Sequence, residues 1–360
     1  MQSVDFYYYD VPYVLNKKLN ADLITKINTR SLAFFFQKNN LLLNKLPVNF
    51  IGKFAFLKNG YSMDFAINSN DSDLHDMVTA LPPQYLKWLE NTDIKGTGNI
   101  DFKLAGLYNA ADSTLPDLSL KIKIRNGYIN NRRSPSPVSN LYMDFETALP
   151  GLDPDSLKVN LDSLHFNMGK DYLNAVLKVK GATNPLIYAK LNTELDLEKW
   201  NRAFGVKKVD LKGQYALHLL ANGKYATAIT HDKRRKKTDT VITSIPKFNV
   251  ASTFSNGYIK YASVPEAVKN ISFKMNASCP DNNYEHTSFT IENLNANVLE
   301  NFIKGHFKLI AAPGFPMDLA LQSKFNLADI RKVYLSDSLG VSLGGNHNGD
   351  LQTNGKYLPA

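Results

Sequence analysis

The sequence predicts a mainly β protein: an elongated, repetitive antiparallel sheet with a few short helices. Three observations predict it. Apolar and polar residues alternate with period two along segment after segment, the pattern of strands with one buried and one wet face. The same ordered set of motifs recurs at a fixed offset. Helical periodicity is confined to a few short stretches.

The strands come first. Leu118, Leu120, Ile122 and Ile124 share one face of LSLKIKI, with Ser119, Lys121 and Lys123 opposite. The pattern returns in Ile100-Phe102-Leu104, Leu157-Val159-Leu161, Phe248-Val250, Ile271-Phe273-Met275 and Met317-Leu319-Leu321. Asn126-Gly127 and Asn256-Gly257 read as tight hairpin turns, because Asn-Gly readily supplies positive φ. On that reading LSLKIKI turns back into Tyr128-Ile129, and Ser134-Pro135-Ser136-Pro137 ends the arm, since proline cannot donate to a ladder. The LKG elements at Leu211 and, in variant form, Ile94 read as strand pairs. Ser72 or Asp73 caps a predicted helix running to Leu81 before Pro82-Pro83. Asp196 caps another through Phe204, ending near Gly205, and its repeat partner runs from Leu327 to about Leu335.

The repeat organises the chain. NGYI occurs at Asn126 and again at Asn256, and PVSNLYMDF (Pro137 to Phe145) answers AVKNISFKM (Ala267 to Met275) at the same offset. LDLEKW (from Leu195) answers FNLADI (from Phe325), and NGKY recurs at Asn222 and Asn354 with the offset slipped by two. Upstream, DIKGTGNIDFKLAG (from Asp93) matches DLKGQYALHLLANG (from Asp210), the tail of an earlier copy. The expected organisation is an incomplete repeat over 1–110, a full repeat over 111–226, a basic loop or linker over 227–244, and a second full repeat over 245–360. The chain reads as a piece cut from a longer array.

Composition narrows the function classes. A hydrophobic content of 44% and a charged content of 21% describe a folded chain. One cysteine, Cys279, excludes a disulfide framework. No apolar run reaches the roughly 18 residues of a helical membrane span, and no secretory signal opens the sequence. The net charge of +9 suits an anionic surface, yet the dense cluster from His231 to Asp239 contains no aromatic residue, so it reads as a solvated loop and nucleic acid is not expected as a partner. Gly340-Val341-Ser342-Leu343-Gly344 matches a hydrolase nucleophile elbow formally, but the strand-to-helix context is missing and Ser342 is expected on a strand. Asn68 to Asp73 lacks the central glycine and closing glutamate of a calcium loop and reads as a helix cap. The seven histidines show no metal spacing, and His218 is expected to point to solvent. No catalytic residue, metal site or cofactor is expected, and the chain reads as a non-enzyme.

One-faced strands pose a covering problem. The helices are too few to cap so much apolar surface, and soluble monomers rarely leave more than about 300–600 Å² of it contiguous and bare. Two solutions stand open: two sheets packed as a structural or adhesive sandwich, or one sheet curled into a trough that meets something greasy. In the trough, the candidate lipid-facing lining is Leu120, Ile122 and Ile124 in one repeat and Val250, Phe273 and Met275 in the next.

LPDLSLKIKIRNGYI with its proline loop and SNLYMDF, then DSLKVNLDSLHF, TELDLEKW and VDLKGQYALHLLANGKY, together resemble the AsmA family of TamB-like bacterial envelope proteins. The second unit repeats them as SNGYI, KNISFKM, SKFNLADI and QTNGKY, and TGNIDFKLAGLYN upstream fits the same pattern. The resemblance implies a hydrophobic β groove for phospholipid transport or shielding between the inner and outer membranes. It implies a periplasmic location, inner-membrane anchoring through a segment outside this one, and outer-membrane assembly proteins as possible partners.

Overall fold

A computed structural model describes residues 2–8, 11–82, 86, 91–132, 134–203, 208–232, 237–329 and 344–356. The protein is mainly β: eighteen strands belong to one antiparallel sheet, two more form a separate hairpin, and the helices are short. Two compact units divide the chain. The first comprises residues 1–132, 136–170 and 175–185; the second comprises 133–135, 171–174 and 186–360.

In the first unit the strands are β1 (Gln2–Tyr8), β2 (Val11–Asn28), β3 (Ala33–Leu43), β4 (Leu46–Leu57) and β5 (Gly60–Asp73). Helix α1 (Leu74–Thr79) follows, then β6 (Thr92–Tyr108), β7 (Asp117–Asn131), β8 (Val138–Leu149) and β9 (Lys158–Met168). Strand β10 (Asp171–Lys180) is divided between the units. The second unit continues with β11 (Leu186–Asp196), α2 (Leu197–Ala203), β12 (Val209–Lys224) and the separate hairpin β13 (Ala226–Asp232) and β14 (Lys237–Ser244). Then come β15 (Lys247–Tyr261), β16 (Val268–Cys279), β17 (Ser288–Val298), β18 (Asn301–Ile310), β19 (Pro316–Asn326) and β20 (Asn346–Lys356).

Every strand foreseen from alternation is present. The Asn-Gly hairpins and the LKG strand pairs are corrected. Both NGYI segments lie inside single long strands, β7 and β15, and the LKG segments lie inside β6 and β12. What the sequence encodes there is a β-bulge. Asn126 and Asn256 take positive φ (51° and 53°), and the register of each ladder slips beside them. The slips are equivalent: Gly127 faces Leu141 and Ile129 faces Val138 in one repeat, Gly257 faces Ile271 and Ile259 faces Val268 in the other. Asn tolerates the left-handed conformation in a bulge as it does in a turn, so the dipeptide alone could not distinguish them.

Gly127 and Gly257 themselves are needed for space. A Cβ on Gly127 would lie 2.8 Å from Leu141 Cβ, and one on Gly257 would lie 2.5 Å from the Phe254 ring.

The caps at Asp73 and Asp196 are as read, a cap at Asn326 adds to them, and α1 is shorter than expected, ending at Thr79. Asp73 accepts from the His75 backbone N–H, Asp196 from Glu198 N and Asn326 from Ala328 N, each satisfying one orphan donor of a first turn. The helix expected from Leu327 begins there, and its residues from 330 onward lie outside the described set. Phe204 and Gly205, where α2 was expected to end, lie outside it too.

Candidate apolar binding face

Residues directly opposite in an antiparallel ladder project to the same face, so the registers define which side chains form a surface. In the first unit one row runs Phe50–Ile67–Phe102–Leu120–Thr147–Val159 across β4 to β9. Beside it runs Ile100–Ile122–Phe145–Leu161, and then Ile124–Met143–Leu164. The second unit repeats the construction across β11 to β19. One row is Leu191–Leu219–Val250–Ala277–Phe289–Leu309–Met317. Its neighbour is Thr193–Leu217–Ser252–Met275–Ile291–Phe307–Leu319, and Tyr215–Phe254–Phe273 forms the start of a third. All six candidate residues therefore lie on the apolar face of their own unit.

None of the six is fully buried; each is intermediate in exposure. Ile124 differs from the rest because it abuts the cluster of Leu46, Leu74, Met77 and Ile94 that α1 seals. Gly98, opposite Ile124, makes room for that helix: a Cβ there would collide with Met77 Sδ. Leu120 and Ile122 lie farther along the strand from this plug. Phe273 rests edge-on against Phe254, with ring centroids 5.8 Å apart.

An aromatic band in the first unit was not foreseen. Phe36 packs tilted on Phe50 and Phe50 stacks on Phe65 (centroids 5.2 and 5.8 Å), and Phe65 leads through Phe54 to Tyr61 and Tyr108. Phe56 joins the band and stays 47% exposed. The signal was the i, i+2 spacing of Phe34 and Phe36 and of Phe54 and Phe56.

The opposite faces are charged and paired. Lys121 bridges Glu146 (3.1 Å) and Lys123 bridges Asp144 (3.2 Å), while Lys274 stands opposite Glu292. In the second unit this face carries an open depression of about 780 Å³ whose lining includes Glu292, Lys304, His306, Lys308 and Asp318. Charges of both signs line it. His218 is exposed, as expected, and its Nδ1 lies 3.0 Å from Asn192 Oδ1.

Two buried polar residues missed in the sequence hold the helices to the sheet. Asp171 accepts from the Asp196 backbone N–H (2.9 Å) and Trp200 Nε1 (3.1 Å), and pairs with Lys199 (3.4 Å). Asn301 accepts from the Asn326 N–H (2.6 Å) and donates to Asp329 (3.1 Å). They sit at the repeat offset, each opening a strand after a turn, and that offset was the available signal.

Asp73, His75 and Asp76 bring potential metal-ligand atoms within 4.8 Å of one another at the start of α1. Asp73 is already used as the cap, and His75 lies 3.3 Å from Asp76. Ser342 and the middle of the basic cluster, residues 233–236, lie outside the described residues. No helix among the described residues is long and apolar enough to cross a membrane. No family model, curated protein or solved structure matches the chain.

Proposed function

We propose that the apolar faces form a non-enzymatic path for phospholipid acyl chains, in the manner of the AsmA family that the motifs resemble. In this reading the protein acts in the periplasm, with an inner-membrane anchor outside the present sequence. It shields or carries lipid between the two membranes, and outer-membrane assembly proteins are its potential partners. One observation carries the proposal. Among the described residues, the fully buried apolar side chains larger than alanine or cysteine are only Leu46, Leu74, Met77, Ile94, Met168 and Phe254. A sandwich seals the inward residues of both sheets in a core about 10 Å thick. Here most side chains of the inward rows are only half-buried, and an acyl chain is the kind of ligand that would cover them. Each methylene taken from water contributes about 0.8 kcal/mol, so a continuous lining holds a chain without a closed pocket.

A photo-crosslinking residue at Ile122 or Phe273 is expected to capture phospholipid in cells, while one at Lys121 or Lys274, on the charged face, is not. Ile122→Asp is expected to reduce lipid capture while leaving the unfolding free energy from urea titration within about 1 kcal/mol of the parent, since a half-buried carboxylate still reaches water. Unfolding by Ile122→Asp together with silence of both inward probes would sink the proposal and restore the packed sandwich.

A further inference from the structure

We propose that the outer edge of β20 is a preformed acceptor for one further antiparallel strand, of the pattern proline, nine residues, then Asn-Gly. The internal repeat supplies the reasoning. Strands β6, β12 and β20 are repeat counterparts, and each element carries two glycines ten residues apart: Gly96 and Gly106, Gly213 and Gly223, Gly345 and Gly355. In the first two, both glycines are sockets for the strand that follows. A Cβ on Gly96 would lie 2.8 Å from Gly127 Cα, and one on Gly213 would lie 2.9 Å from Gly257 Cα. At the other end, a Cβ on Gly106 would meet Pro116 Cα at 3.2 Å, and one on Gly223 would meet Pro246 Cα at 3.0 Å. The incoming strands thus present Pro116 with Asn126-Gly127, and Pro246 with Asn256-Gly257, at identical spacing.

The third acceptor has the same construction with nothing among the described residues seated on it. Gly345 holds φ +104°, beside +122° at Gly96 and +123° at Gly213, a backbone region that only glycine enters freely. Among the described residues nothing comes within 4 Å of a Cβ built on Gly345 or Gly355. Among the described residues β20 pairs with β19 alone, whereas β12 pairs with β11 and β15. Leu351, the counterpart of Leu219, is 54% exposed, while Leu219 faces Val250 of β15. An open, regular strand edge is a template for strand addition, and the apolar side chains of the added strand would cover Leu351. A folded second copy cannot supply its own strands of this pattern, because β7 and β15 are paired on both edges. The occupant is therefore an unpaired extended segment of this pattern.

The test uses the whole chain and a labelled synthetic peptide of the sequence Pro246 to Tyr261. Saturable binding is expected, with amide exchange slowed across Asn346–Lys356. Affinity should fall at least tenfold for Gly345→Val in the protein, and equally for the peptide carrying valine at its Gly257 position. The peptide variant keeps the test decisive if Gly345→Val perturbs folding. No binding, binding indifferent to both glycines, protection that maps to β12 instead, or a dimer of the free protein that hides β20 would each overturn the proposal.

Discussion

The two helix clasps of the second unit occupy equivalent positions and reverse each other's chemistry. Position 171 is an aspartate accepting from the Lys199 ammonium, while position 301 is an asparagine donating to the Asp329 carboxylate. Lys199 and Asp329 are themselves repeat counterparts. Both clasps keep one contact unchanged, a side-chain oxygen that accepts the backbone N–H of the helix-capping residue, Asp196 or Asn326. What the fold requires at this point is an acceptor for that N–H and one donor–acceptor pair between strand and helix. The direction of the pair is free, provided both partners change together.

The repeats can be broken hardest at their bulges, where they differ in what lies over the glycine. Gly257 is roofed by the Phe254 ring and Ile271, with contacts to an added Cβ of 2.5–2.7 Å. Gly127 is roofed by the more adaptable Leu141 side chain at 2.8–3.0 Å. Overpacking of this kind costs about 1–3 kcal/mol. Gly257→Val is therefore expected near the top of that range, about 3 kcal/mol, and Gly127→Val at about 2 kcal/mol, both read from urea unfolding. Equal losses, or none, would mean that the roofing side chains do not set the need for glycine.

The clasp comparison is sharpened by a double-mutant cycle. Lys199→Asp places a third carboxylate beside Asp171 and Asp196 and is expected to cost about 2 kcal/mol, less than a sealed pair because Lys199 is 32% exposed. Asp171→Asn leaves an amide facing the ammonium and is expected to cost about 1–2 kcal/mol. The double variant rebuilds the arrangement of Asn301 and Asp329. It is expected to recover at least half of the summed loss, because contacting residues couple. Additive losses would show that the two clasps are not interchangeable.

Much of the fold was legible because the strands obey one local rule. LSLKIKI shows its two faces without knowledge of its neighbours, and the candidate lining Leu120, Ile122, Val250 and Met275 follows from alternation alone. The bulges were not legible. Asn126-Gly127 satisfies the local demand of a hairpin and of a bulge equally, and only the flanking β6 and β8 ladders decide between them. The clasps were harder still. Asp171 and Asn301 look like ordinary polar residues after turns, and their worth depends on backbone N–H groups 25 residues away. The plug over Ile124 likewise comes from α1, whose position depends on the missing side chain at Gly98.

The smallest expected effect separates the clasps by pH. Burial, the largest single influence on Lys199, lowers its pKa, but the Asp171 and Asp196 carboxylates and their hydrogen bonds outweigh it and hold the pKa above the ordinary 10.5. The folded protein thus keeps this proton more tightly than the unfolded chain. Its contribution is fully present below pH 10.5 and is lost as pH rises through the folded value. At a site this open the loss should stay within about 1 kcal/mol. Lys17 in the first unit runs the other way: burial lowers its pKa, so its contribution grows as pH rises towards 10.5. The total alkaline slope therefore mixes opposing signs, and the informative quantity is the difference between the parent and Lys199→Met. That difference is expected to shrink above pH 10.5, measured as urea midpoints at matched ionic strength. A difference that stays constant through the alkaline range would mean that Lys199 holds α2 by the packing of its stem rather than by its charge.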